Sequence, residues 1–417
     1  MQLIHWFFVF VFLFVSPIVR LVLDSFPLSE LSADKFQVIT QVNWLVLIWS
    51  FVFAAGSQLA RRNATWLTIK RVGKPTYLIG KAALVVLTLS LIAAYVTART
   101  PLGWISRGGG IGEAFPNNTI KLIFQYCARP FALFSFFLMS LRWKHMVVRR
   151  VSAKLLLIGG GALMLLYNIP TSTARFYAFA IYLTLALILL EKYLPRTGYA
   201  TIPVLFLGIA VAELINLFRS YSGGALDLEE REQQGFEFWI SVQFDAYEMI
   251  SASAQHVAYE GTVAGQNIVG AVLFWVPRAI WPTKPIGTGA YLMTDFFGSR
   301  NPYGAFANVS CPLIAESYIA FGIVGVAIGA LTFGYVSRSL DNGFAACVSY
   351  LGNAPAKRIN QLIYFPLCAL VFFIMRGDLL SSYAYTAGLI LAYITAVRYY
   401  GLRVRTVSSQ ISDIRFI

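Results

Sequence analysis

Charge is scarce in this chain. Only 12% of its 417 residues are Asp, Glu, Lys or Arg, about half the share of a soluble globule, which is roughly 25%. That excludes an ordinary water-soluble domain. Cysteine is scarce too. Cys127, Cys311, Cys347 and Cys368 show no CxxC or Cys/His spacing, and three of them lie in apolar runs. Neither a disulfide framework nor a zinc site is supported. No internal repeat or low-complexity tract is visible. The first apolar run lacks a basic n-region and a small-residue cleavage site, so it reads as a retained helix rather than a signal peptide.

What is abundant is hydrocarbon. The chain is 58% hydrophobic, with a mean hydropathy of +0.67. Apolar runs of about 20 residues recur from end to end, long enough for helices to cross a hydrocarbon layer of about 30 Å. The runs are continuous rather than alternating, which argues against a β-barrel. The expected fold class is an all-α polytopic membrane protein. Its spans fall near 3–23, 37–59, 77–98, 120–141, 154–170, 175–192, 199–218, 312–337, 360–376 and 379–397. The net charge of +14 is read as the cytoplasmic Lys/Arg excess that orients membrane helices, with no nucleic-acid partner.

Strict alternation of ten spans puts the basic connections on one side. These carry Arg61, Arg62, Lys70, Arg71 and Lys74, then Arg142, Lys144, Arg149, Arg150 and Lys154, then Arg338, Lys357 and Arg358, and finally the tail arginines. Both termini are therefore expected in the cytoplasm. The chain divides into helices over 1–218, a long outer loop over 219–311, and helices plus a tail over 312–417. The loop holds nine acids and five bases, and a loop this long is usually functional. Within it, 236–258 reads as an amphipathic helix. The stretch 266–281 reads as a short apolar helix at the interface or re-entering the membrane.

Ionisable residues at membrane depth cost about 2.5–3.5 kcal/mol each on insertion scales, so they are candidates for function. Arg175, Arg219, Arg278, Lys284 and Arg376 all map to the outer face, and Arg129 lies deeper. Each has a structural alternative. Arg376 and Asp378 suit a turn ion pair, Arg129 suits a helix contact with Glu213, and Glu316 suits a helix N-terminus. His256 suits a structural role, and Trp275, Trp281 and Tyr291 suit an interfacial belt. As a set, the arginines suit a polyanion, because guanidinium binds phosphate bidentately. Interleaved carboxylates offer a base for a hydroxyl nucleophile. Asp245 and Glu248, three apart on the expected 236–258 helix, share a face and are the favoured base, with Glu316 in reserve.

The stretch "FWVPRAIWPTKPIG" (274–287) concentrates three prolines and two cations among aromatics. Prolines stiffen it, tryptophans anchor it at headgroup level, and Trp281 offers a face for a sugar ring. "VPRAIWPTKPIGTGAYL" followed by "SCPLIAESYIAFGIVGVAIG", with "RFYAF" and "RGD", resembles the O-antigen (oligosaccharide repeat unit) polymerases of the Wzy type over residues 165–390.

The resemblance implies a GT-C-like glycosyltransferase at the periplasmic face of a bacterial inner membrane. It would use no metal or other cofactor. It would move a growing glycan from undecaprenyl diphosphate to a new lipid-linked repeat unit. A flippase and a chain-length regulator are the implied protein partners. Family arginines would match Arg175, Arg219, Arg278 and Arg376. Asp245, Glu248, His256 and Glu316 remain the candidates for the base. The chain has no DxD motif, in keeping with a lipid diphosphate donor. An O-antigen ligase and a lipid-linked oligosaccharide flippase are the alternatives.

Overall fold

The computed structural model describes residues 1–62, 67–69, 76–97, 123–145, 151–170, 173, 175–189, 202–209, 244–302, 309–351, 355–400 and 404–406. These are almost wholly helical. The helices are α1 (Gln2–Val22), α2 (Lys35–Leu59), α3 (Thr76–Thr97), α4 (Arg129–His145), α5 (Val151–Tyr167) and α6 (Arg175–Leu189). They continue with α7 (202–209), α8 (Ala246–Glu260), α9 (Gln266–Val272), the single turn α10 (Thr288–Tyr291), α11 (Leu313–Leu351), α12 (Pro355–Arg376) and α13 (Leu379–Tyr400). Two three-residue strands, β1 (Leu67–Ile69) and β2 (Val404–Thr406), pair antiparallel.

Nine of the ten expected spans coincide with helices. The tenth, 199–218, is described only over 202–209. Among the described residues, four helical stretches are long and apolar enough to cross a membrane: Gln2–Val22, Lys35–Leu59, Leu313–Ala345 and Leu379–Ala396. Shorter apolar helices run over Gly80–Val96, Val151–Tyr167, Phe176–Ile188 and Ile363–Arg376. This is a membrane-embedded helical protein.

The chain forms two compact units, neither of which is one stretch of sequence. Unit 1 comprises Met1–Ala64, Asp227–Asn342 and Leu370–Ala384. Unit 2 comprises Thr65–Leu226, Gly343–Ala369 and Tyr385–Ile417.

Unit 1 is built on aromatic packing. Phe12 stacks on Phe8 and on Phe244, each at 5.0 Å, and meets the Phe372 ring edge-on at 5.4 Å. His5 stacks on Phe53 and accepts from Trp49 Nε1 at 3.1 Å. The π-helical turn Val11–Val15 in α1 comes just before Pro17. Proline has no N–H, so the Leu13 carbonyl lacks its usual helical partner and the turn widens.

Unit 2 repeats that device. The π-helical turn Phe124–Ala128 precedes Pro130. Ser90 Oγ then donates to the Ala128 carbonyl at 2.7 Å, and Ser135 Oγ to that of Ala83 at 2.8 Å, fastening α4 to α3.

The loop elements are shorter than the sequence suggests. The amphipathic helix expected over 236–258 begins at Ala246, with 236–243 outside the described residues. The helix expected over 266–281 stops at Val272. Pro277 cannot donate and disfavours helix at the residue before it, so the chain continues as single turns closed by Val276 N–H to Leu273 and Ile280 N–H to Pro277.

One kink positions this loop. Within α11, Phe321 and Gly322 leave helical geometry, and Gly322 has φ 62° and ψ −146°. Val263 N–H donates to the Ile319 carbonyl at 2.9 Å, and Gly265 N–H to that of Ala320 at 3.1 Å. The α8–α9 link is thus pinned to the carbonyls at the kink. A side chain at 322 meets a conformation essentially reserved to glycine, at a cost of about 1–3 kcal/mol. Gly322→Ala should lower the thermal unfolding midpoint in detergent by several degrees; an unchanged midpoint would refute the account of the kink.

Candidate functional site

The α8 helix belongs to unit 1 and is unusual for its burial. From Asp245 through His256 every residue is buried, including Asp245, Glu248, Ser251, Ser253, Gln255 and His256. Buried polar groups need partners, and following them defines the site.

Glu248 faces the α1–α2 turn. It accepts from Leu28 N–H at 2.8 Å, Ser29 N–H at 3.2 Å and Ser29 Oγ at 3.3 Å. Gln255 Nε2 donates to the Leu28 carbonyl at 2.8 Å, and Ser251 Oγ lies 2.9 Å from Ser29 Oγ. Burial pushes the Glu248 carboxyl up, while Arg20 and the three donors oppose it. Glu248 therefore holds a turn in place.

Asp245 stands at the N-cap position of α8, but its side chain makes no capping bond and turns to other partners. Arg376, at the end of α12, donates from Nη2 to Asp245 Oδ1 at 2.9 Å and from Nη1 to Ser310 Oγ at 2.7 Å. Both members of the ion pair are buried. Burial pushes the Asp245 carboxyl up, against the pull of Arg376 and then Arg20. Its Oδ2 is buried and has no hydrogen-bond partner among the described residues. Asp245 and Glu248, expected to share a face as the favoured base, are engaged by different partners. One carboxylate serves Arg376 and the other serves the α1–α2 turn.

Arg376 and Asp378, neighbours in sequence, have different tasks. The Asp378 carboxylate accepts from the backbone N–H groups of Leu380 and Ser381 at the start of α13, and from those of Thr288 and Gly289 in α10. Burial still pushes its carboxyl up. Gly287 is required beside it, since a Cβ there would overlap Asp378 Oδ2. Glu316, in the first turn of α11, accepts from Thr288 Oγ1 at 2.6 Å and Asn267 Nδ2 at 2.7 Å on one oxygen. Its other oxygen accepts from Leu379 N–H at 3.0 Å. Glu316 does satisfy a helix N-terminus, that of α13.

His256 forms a separate cluster. Its Nε2 lies 3.0 Å from Tyr291 Oη and 3.1 Å from Glu260 Oε2, and Tyr291 Oη donates to Glu260 at 3.1 Å. Glu260 is half-exposed at the end of α8. Burial lowers the His256 imidazole below its ordinary 6.5, with Glu260 opposing. The sequence offered Tyr291 only as a belt aromatic and Glu260 only as one loop acid among nine. Their i, i+4 spacing (256 and 260) was the available signal.

The cations of 274–287 are turned on their own segment. Lys284 Nζ donates to the carbonyls of Phe274 at 2.5 Å and Val276 at 3.1 Å. Arg278 Nη1 donates to the Lys284 carbonyl at 2.8 Å, with Nη2 3.5 Å from that of Pro285. Three prolines remove three N–H donors, and the cations supply others. Burial lowers the Lys284 ammonium, assisted by Arg278. Arg278 stays exposed, as do Trp275 and Ile280, while Trp281 is half-buried.

The remaining candidates belong to unit 2 or fall outside the described residues. Arg129 is buried, with its guanidinium 5.4 Å from the Phe124 ring centre. Arg175 begins α6. Arg219, Glu213 and the acids from Asp227 to Glu237 lie outside the described residues. Among the described residues, no group of three or more His, Cys, Asp or Glu is arranged to hold a metal ion. Comparison with known proteins finds no matching family model, curated protein or solved structure.

Two outcomes follow from this geometry. Lys284→Met removes the ammonium that closes 274–284, so limited proteolysis should cut within 277–286 faster than in the parent, and an unchanged rate would remove the clamp. The lowered His256 means that the neutral ring stabilises the fold fully above pH 6.5, and this contribution fades as pH falls through the folded value. Below pH 6.5 the parent should lose thermal stability more steeply than His256→Gln; parallel curves would contradict the burial argument.

Proposed function

We propose that the chain is a polymerase of undecaprenyl-diphosphate-linked oligosaccharide repeat units, making O-antigen or a related surface polysaccharide. In this reading it is a GT-C-like, metal-independent glycosyltransferase of ten spans in a bacterial inner membrane. Both termini are cytoplasmic, and residues 219–311 work at the periplasmic face. The observation that carries the reading is the composition of unit 1 around α8 and α10. An exposed Arg278 on a rigid aromatic segment leads, four residues after Lys284, into α10, whose Tyr291 joins the half-exposed His256–Glu260 pair. A guanidinium for a diphosphate and a general base for a hydroxyl are the two parts that glycosyl transfer from a lipid diphosphate needs.

The acceptor hydroxyl oxygen forms a bond to the donor's anomeric carbon while the bond from that carbon to the diphosphate oxygen breaks. The leaving diphosphate keeps the electron pair, and Arg278 neutralises it. The hydroxyl proton passes to Glu260, the exposed member of its cluster, with His256 and Tyr291 orienting that carboxylate. Asp245, Glu248 and Glu316 have structural duties as bond partners of Arg376, the α1–α2 turn and α13. Arg376 then acts as a positioning residue.

The same His256 cluster favours one second reading, an O-antigen ligase, which would also present a histidine and arginines in a large periplasmic loop. A strain lacking the gene separates the two. Lipid A-core capped with a single repeat unit supports the polymerase, whereas uncapped core supports the ligase. With purified protein in lipid, polymer should form in excess EDTA. Glu260→Gln and Arg278→Ala should each slow it by about 10²-fold or more. Full activity in both variants, or an absolute need for a divalent ion, would overturn the mechanism.

A further inference from the structure

A second polar feature of unit 1 lies at the other end of α2. A cavity of about 510 Å³ is lined by Gln2 and Trp6 of α1, Ser57 and Gln58 of α2, Arg61, and Arg338 of α11. The 25 residues of α2, at 1.5 Å each, put it about 37 Å from the α1–α2 turn that Glu248 holds. We propose that this cavity binds the phosphodiester headgroup of an anionic membrane phospholipid at the cytoplasmic surface.

Four observations carry this. The lining holds two guanidinium groups and no carboxylate, and neither Arg61 nor Arg338 has an ion pair among the described residues. The backbone at Arg61 is held by the fold, since Asn342 Nδ2 donates to the carbonyls of Ala60 at 2.9 Å and Arg61 at 3.2 Å, and Arg338 is carried by α11. Gln2 has spare donors: its Oε1 accepts from Ser57 Oγ at 2.9 Å, while its Nε2 is buried with no partner among the described residues. Finally, the same helices expose Trp6, Phe10, Phe51 and Leu59, surfaces that acyl chains cover.

Guanidinium pairs phosphate oxygens bidentately, and basic pockets between transmembrane helices on the cytoplasmic side suit anionic headgroups. Without a carboxylate in the lining, a headgroup carrying its own ammonium gains nothing there. The site is independent of the polymerase reading and needs only the membrane orientation.

The test uses the full chain in detergent with phosphatidylglycerol, phosphatidylcholine or inorganic phosphate. Native mass spectrometry counts bound lipid, and thermal unfolding reports stabilisation. Phosphatidylglycerol should be retained and raise the midpoint by several degrees, with phosphatidylcholine and phosphate giving little. The double variant Arg61→Gln/Arg338→Gln should lose most of the retention. Gln58→Glu alters an exposed helical position and adds a repelling charge, so it should weaken retention several-fold with normal gel-filtration behaviour. Equal retention of phosphatidylcholine would overturn the proposal, as would an equal shift with inorganic phosphate, which points to a soluble phosphate compound. Undiminished retention in a folded Gln58→Glu protein would also overturn it.

Discussion

The ion pair between Arg376 and Asp245 is the contact on which the rest of unit 1 depends. It joins the last residue of α12 to the N-cap residue of α8 across 131 positions of sequence, and Ser310 adds the segment that leads into α11. Both charges are buried, so neither can turn to water when the other is missing. Removing one partner of such a pair costs about 3–5 kcal/mol, because the survivor is left uncompensated. An ion pair of this kind adds little net stability compared with apolar packing, and what it supplies is a defined geometry. With α8 fixed there, Glu248 meets the α1–α2 turn, and His256, three turns further along, meets Tyr291.

The polar layer obeys one rule throughout, that backbone groups left over by broken helices find side-chain partners. Asp378 accepts the N–H groups that open α10 and α13. Glu316 takes a further one from α13 and ties in Thr288 and Asn267. The kink at Gly322 goes with Ile319 and Ala320 carbonyls that accept from the α8–α9 link. Lys284 and Arg278 do for carbonyls what Asp378 and Glu316 do for N–H groups. Non-helical backbone is tolerated in a membrane protein only where protein or water satisfies it. The charged residues around the 274–287 segment are, for the most part, the means of that satisfaction.

This explains which parts of the molecule could be read from its sequence. Apolar runs of about 20 residues are local signals, and they locate α1, α2, α13 and the start of α11 within a few residues, whereas α11 continues to Leu351, well past the expected end near 337. The α8 helix also has a local sign, in the amphipathic pattern over 236–258, but its burial on every side from Asp245 to His256 does not. Its partners have none. Glu248 meets Leu28 and Ser29 across about 220 positions, and nothing near residue 248 names them. Arg376 misleads for a related reason. Asp378, two residues away, is the obvious partner, yet the tight turn commits its carboxylate to N–H groups and leaves the arginine for α8. Proline stiffness in 274–287 was legible, but the donor deficit that prolines create, and the cations that fill it, required the folded loop.

The two ends of α2 then differ in the way their charges are used. Near Lys35, charges meet counter-charges: Lys35 meets Asp24 and Glu30, and the buried Glu248 carboxylate beyond has its donors in Leu28 and Ser29. Near Arg61, Asp341 is taken by the N-terminal ammonium, Arg61 and Arg338 have no ion pair among the described residues, and the Arg61 backbone is fixed by Asn342. A matched end can be packed tightly, because each charge there already has its partner. An unmatched end has binding capacity left over for an anion from outside the protein. Within unit 1, the charges at one end of α2 are therefore spent on holding the fold, while at the other end two guanidinium groups have no ion pair among the described residues.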